Sequence, residues 1–184
     1  MHTNSIGIML LLALLHPLNC LSAQDAATTL SIRGDVQKPV RWSIDQLKER
    51  FAGQIKEVKF IDADKSQKIG TGIQLLSVIQ ACGPRIEKDT KWTLKDTLHH
   101  DLSFLVILEA RDSYKVFFSL AELMQWFGNA QAWLLWNVNG KPLSGKQAPL
   151  WLVVSGQGFD RNIYGIEKIT VVDGIKLANQ LDAK

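Results

Sequence analysis

The sequence has little cysteine, little excess charge and no apolar run long enough for a membrane span. Two cysteines in 184 residues exclude a disulfide-built scaffold, which would need several. Lys plus Arg is 21 against 18 Asp plus Glu, a net +3. That excess is small and dispersed, which argues against a nucleic-acid partner. The apolar run Ile6 to Leu15 (IGIMLLLALL) falls well short of the roughly 20 residues that cross a bilayer. There is no metal-ligand spacing, no Ser–His–Asp pattern and no phosphate-binding glycine motif. His99 and His100 are adjacent and point in different directions on a helix or strand, which reads as two exposed histidines.

The short apolar run instead fits the core of a secretory signal peptide. Pro17 and Asn19 break it, and Ala23 before Gln24 offers a small residue for cleavage. The n-region has no Lys or Arg, so its charge comes from the amino terminus and His2. Residues 1–23 are expected to be a signal peptide and 24–184 a single exported, periplasmic domain. An uncleaved anchor is one alternative. Lipidation at Cys20 is another, disfavoured by the preceding Pro17-Leu18-Asn19. Cleavage removes Cys20 and leaves Cys82 without an internal disulfide partner. An apolar core must then hold the domain, and the remaining chain is long enough to bury one.

The periodicity predicts an α+β fold with a mixed, mostly antiparallel sheet and short helices. Strands are expected at Leu30–Ile32, Val40–Trp42, Ile55–Asp62, Ala132–Val138, Leu150–Val154 and Ile166–Val172. Ser103–Ala110 (SFLVILEA) is continuously apolar and is expected to be central. Arg111-Asp112-Ser113 turns it into a hairpin partner, Tyr114–Phe118. Ser43 with Gln46, and Ser119 with Glu122, are capping-box pairs. They open helices Ile44 to about Arg50 and Leu120–Trp126. Apolar residues spaced by three and four predict a helix over Ile73–Cys82, stopped by Gly83-Pro84. Thr93–His100 reads as a short helix or turn. Asn139-Gly140 is a tight-turn signal, and Gly174 leads into a short C-terminal helix.

Several clusters could carry chemistry. Gly70-Thr71-Gly72 reads as a loop before a helix, a weak anion-site pattern. Cys82, at the C-terminal end of an apolar helix, lacks the cationic or N-terminal setting of a reactive thiolate and reads as packed and inert. Of the six Trp, Trp126, Trp133, Trp136 and Trp151 lie close together. Trp133 and Trp136 are three apart in a strand and face opposite sides, so at least one is expected outside the core. Exposed rings of this size stack on planar groups or sugar faces; the alternative is that all four are packed. The segment Ser155–Gly165 (SGQGFDRNIYG) gathers Gln157, Asp160, Arg161, Asn162 and Tyr164. A carboxylate, a guanidinium, an amide and a phenol in one loop suit the donor and acceptor edge of a heterocycle. The alternative is a solvated loop with an Asp–Arg pair.

Four segments carry a resemblance to a known family: Val36–Leu47 (VQKPVRWSIDQL), Gly72–Gly83 (GIQLLSVIQACG), Tyr114–Leu123 (YKVFFSLAEL) and Asn139–Val154 (NGKPLSGKQAPLWLVV). In order and spacing they resemble the molybdopterin-binding domain of the sulfite-oxidase family, over nearly all of residues 28–173. The resemblance implies a molybdenum pterin held through a Cys thiolate near Asp62–Asp64. No Cys stands there, and a carboxylate does not replace a soft thiolate. The basic residue often found after Pro-Leu in the family is here Trp151, while Arg161 falls on the family's Arg in the next loop. Taken with these departures, the sequence is similar to small exported members of the fold that bind a metal-free pterin. Those proteins pair with the periplasmic region of a membrane diguanylate cyclase–phosphodiesterase. The implied reading is a non-catalytic pterin-binding regulator; the disfavoured alternative is a molybdopterin-dependent oxidoreductase. The pterin site is expected to use Trp151, Asp160, Arg161, Asn162 and Tyr164, with Asp62, Gly70, Thr71 and Gly72 as secondary candidates.

Overall fold

The computed structural model describes residues 29–84, 101–156 and 161–183. The signal-peptide segment, Thr93–His100 with both histidines, Gln157 and Asp160 lie outside the described residues.

Ten strands form two sheets rather than one, and the fold is α+β with mostly antiparallel pairing. The first sheet has the order β2 (Val40–Ser43), β1 (Thr29–Gly34), β10 (Ile166–Asp173), β5 (Phe104–Ala110), β6 (Lys115–Ser119). Its β1–β10 pair is parallel and its other pairs are antiparallel. The second sheet is antiparallel: β3 (Lys56–Ile61), β4 (Gln67–Gln74), β7 (Gln131–Val138), with β8 (Lys141–Pro142) and β9 (Trp151–Ser155) following β7. Among the described residues four helices close the gaps: α1 (Ile44–Arg50), α2 (Leu75–Cys82), α3 (Leu120–Leu123) and α4 (Gly174–Asp182). No helix among the described residues is long and apolar enough to cross a membrane.

Alternation along the strands builds two apolar layers. Leu30, Ile32, Phe104, Val106, Leu108, Ile169 and Val171 of the first sheet belong to one buried cluster with Ile73, Ala132, Leu134, Trp136, Leu152 and Val154 of the second. The intervening residues of the second sheet, Phe60, Trp133, Leu135, Trp151 and Val153, form a smaller cluster on its other face. Successive side chains of a strand face opposite ways. Trp133 and Trp136 do so, yet both are buried, at 8% and 5% exposure. The expectation that one would lie outside the core is therefore corrected: this sheet is apolar on both faces. Trp126, at 84% exposure, is the ring presented to solvent.

The two capping pairs behave differently. The Ser43 hydroxyl accepts from the Gln46 N–H (3.1 Å), and the Gln46 side chain accepts from the Ser43 N–H (2.8 Å). The Ser119 hydroxyl accepts from the Glu122 N–H (3.0 Å), but the Glu122 carboxylate is turned to Arg161. The second box is therefore half formed. Its helix stops at Leu123, not Trp126, because Met124 is extended.

Two further expectations change. Strand β5 is interior but not buried on both faces: Phe104, Val106 and Leu108 point inward while Leu105 is exposed, and β10 takes the central place. Gly70-Thr71-Gly72 is not a loop; it lies in β4, and α2 begins at Leu75 rather than Ile73. A Cβ at Gly70 would stand 2.3 Å from Leu135 Cδ1, and one at Gly72 would stand 2.1 Å from the Leu134 carbonyl oxygen. These glycines let β4 lie close on β7 beside a register shift at Thr71/Gly72.

Candidate functional site

Three chain segments meet beyond the ends of β5 and β9. The first is the β5–β6 turn, closed by Ser113 N–H to the Ala110 carbonyl (2.9 Å) and by the Tyr114 N–H to Asp112 Oδ1 (3.1 Å). The second is a 3-10 turn, Gly145–Gln147, ahead of β9. The third is residues 161–165, returning toward β10. Gly165 ties them: its N–H donates to the Gln147 carbonyl (3.3 Å), and its carbonyl accepts from the Arg111 N–H (2.9 Å). It holds φ +67°, and a Cβ would sit 3.0 Å from the Lys146 carbonyl oxygen. Only glycine tolerates both conditions.

Between these segments lies a cleft of about 440 Å³, lined by Ala110, Arg111, Asp112, Tyr114, Lys146, Asn162, Ile163 and Tyr164. Its size suits a small planar ligand. Tyr164 lies against the buried Trp151, ring centroids 4.6 Å apart and tilted by 49°. Phe60 meets the same indole edge-on at 5.0 Å.

Deeper than the cleft lies a polar group. Asp62, 8% exposed just past β3, pairs with Lys68 of β4. The Tyr164 hydroxyl approaches Asp62 Oδ1 at 3.5 Å, the long limit of a hydrogen bond. Burial, then the Asp62 charge, raises the Tyr164 phenol above its ordinary pKa. The hydrogen bond to Asp62 raises the Lys68 ammonium above its own, against partial burial. The Trp151 Nε1–H is buried and has no hydrogen-bond partner among the described residues. A buried donor left unsatisfied costs on the order of 1–3 kcal/mol.

The residues singled out from sequence separate into groups. Trp151, Tyr164 and Asp62 come together. Asn162 lines the cleft, but its Oδ1 already accepts from the Val154 N–H (2.8 Å). Arg161 does not line it. Its guanidinium pairs with Glu122 (Nη2 to Oε2, 3.2 Å), donates to the Phe117 carbonyl and covers the Phe118 ring at 3.8 Å. It staples the loop to β6 and α3. Gly70, Thr71 and Gly72 belong to the sheet. Asp160 lies outside the described residues. Sequence reasoning missed Lys68, Lys146, Arg111, Asp112 and Tyr114. The turn Arg111–Ser113 was legible, but nothing local told that it would face residues 162–164.

The donor set bears on a metal. Among the described residues no group of three or more His, Cys, Asp or Glu stands together. Cys82 is buried at the far end of α2, and burial pushes its thiol up to about 11. At the end of β3 the carboxylates of Asp62 and Asp64 face Lys68, the latter at 3.7 Å. These residues do not fit a thiolate-held molybdenum. Two Tyr rings line the cleft, and Asp112, Lys146 and Asn162 offer polar groups there.

No family model matches the chain, and no curated protein does. Among solved structures it is similar to the sulfane dehydrogenase SoxCD from Paracoccus pantotrophus, with a TM-score of 0.57 at 16% identity. The likeness covers 79% of this chain and 38% of that one, so this chain spans well under half of its neighbour's length. At that identity the likeness shows a shared fold, distantly related, and nothing finer.

Proposed function

We propose that this protein is a non-catalytic, periplasmic pterin-binding protein that regulates a membrane diguanylate cyclase–phosphodiesterase. The observation that carries the ligand part is the cleft beside Tyr164. A pterin ring is flat, and its aminopyrimidinone edge mixes donors and acceptors. Tyr164, backed by Trp151, supplies a stacking face, and Asp112 can accept from the ring's amino group. The missing thiolate near Asp62 supports a metal-free ligand over molybdopterin. The exported location rests on the apolar run near the N-terminus, and the partner rests on the family resemblance.

Calorimetric titration of the purified protein with a tetrahydropterin tests the reading. Saturable binding is expected, weakened about tenfold or more by Tyr164→Ala, given the roughly 1–3 kcal/mol of one ring stack. Absence of binding at high micromolar concentration would falsify it. So would stoichiometric molybdenum in protein made in a molybdenum-cofactor-competent host.

A further inference from the structure

We propose that the cleft beside Tyr164 selects a planar ligand carrying a negative charge, and that Lys146 makes the selection. The identity of the ring rests on the pterin reading; the preference for charge does not.

Three charged side chains line the cleft, and two of them already hold one hydrogen bond each. Arg111 Nε donates to Glu167 Oε1 at 2.7 Å. Asp112 Oδ1 holds the Tyr114 N–H and so closes the turn. Lys146 is different. Its Nζ lies over the Tyr164 ring, 5.7 Å from the centroid, and no carboxylate among the described residues is in salt-bridge reach of it.

An exposed ammonium over a phenol ring is a weak contact, about 0.5–1 kcal/mol. It is easily exchanged for a charge-assisted hydrogen bond to an anion. Trp151 already occupies the protein side of Tyr164, so the face toward the cleft is the one a ligand ring could take. Lys146 lines the same cleft with its ammonium over the Tyr164 ring. An arriving ring must displace the ammonium, and a ligand with an anionic substituent offers it a better partner in the same movement. A neutral ring displaces the lysine and gives nothing back. Asp112 opposes an anion placed beside it. Its Oδ2, which has no partner among the described residues, instead suits a donor on the ring, which orients the anionic substituent toward Lys146 and away from Asp112.

The test titrates the full chain with three probes: pterin-6-carboxylate, 6-hydroxymethylpterin and 2-naphthoate. Wild type is compared with Lys146→Met and Lys146→Arg. The carboxylate is expected to bind roughly tenfold more tightly than the neutral pterin, with the advantage shrinking as salt is raised. Lys146→Met should bring the two pterins within about twofold of each other, and Lys146→Arg should keep most of the gap. Equal affinities in wild type, or a gap that survives Lys146→Met, would overturn the proposal while leaving the pterin reading in place. Lys146-dependent binding of naphthoate with neither pterin bound would support charge selection and remove the pterin. Failure of all three probes would overturn both.

Discussion

The two apolar clusters on either side of the second sheet are built by the same alternation but to different standards. The one between the sheets has Leu30, Phe104, Leu108, Leu134 and Leu152 fully buried, and its buried carboxylate, Asp173 at the end of β10, is held by the backbone N–H groups at the start of α4. The one on the outer face packs equally large side chains and abuts the Asp62–Lys68 ion pair and an indole N–H without a partner among the described residues. A chain selected for stability alone would remove such groups or satisfy them. The inner cluster holds the two sheets together and reaches the cleft through Ala110 and Ile163, while the outer one backs Tyr164.

This contrast can be broken most forcefully from the inside. Leu134→Ala, at a fully buried position between the sheets, is expected to lower unfolding stability by about 2–5 kcal/mol, as large-to-small core changes do. Urea denaturation measures it. A loss below about 1 kcal/mol would mean that this core is no better packed than the outer cluster.

The next effect in size concerns the staple. Arg161→Ala leaves Glu122 without its guanidinium partner and frees the loop that carries Asn162 and Tyr164. A loss of about 1–3 kcal/mol is expected, read by thermal melting, together with weaker ligand binding. Glu122→Gln should reproduce both effects in part, and the double variant should cost less than the sum of the two. Additive losses would show that the pair does not act as a unit.

Trp151→Phe gives the smallest expected change. It removes ring volume, which destabilises, and also the unpartnered N–H, which offsets that loss. Stability within about 1 kcal/mol of wild type is expected from chemical denaturation. A loss as large as that of Leu134→Ala would show that the indole N–H is satisfied in solution, and the contrast between the clusters would fail.

Much of the fold was legible because its signals are local. The Ser43–Gln46 box closed as read, Gly83 capped α2 with φ +63°, and the strands alternate where the sequence alternates. The failures share a cause. Gly70-Thr71-Gly72 resembles a loop because glycine disfavours strands, but the close approach of β7 to β4 makes glycine the residue that fits. Glu122 satisfied a capping pattern three residues from Ser119, yet a guanidinium thirty-nine positions away in the chain took its carboxylate. Arg161 looked like a ligand residue because a charged side chain in a loop gives no local sign of its partner.

The sequence by itself determined the α+β class and the placement of most strands. Those properties depend on the periodicity and identity of near neighbours. The tertiary structure alone decided that there are two sheets, that one of them is apolar on both faces, and that Trp151, Tyr164 and Asp62 meet while Arg161 turns away. It also brought Lys146 over Tyr164 from a turn with no motif of its own. Long-range strand pairing sets these meetings, and no local pattern encodes which turns will face each other.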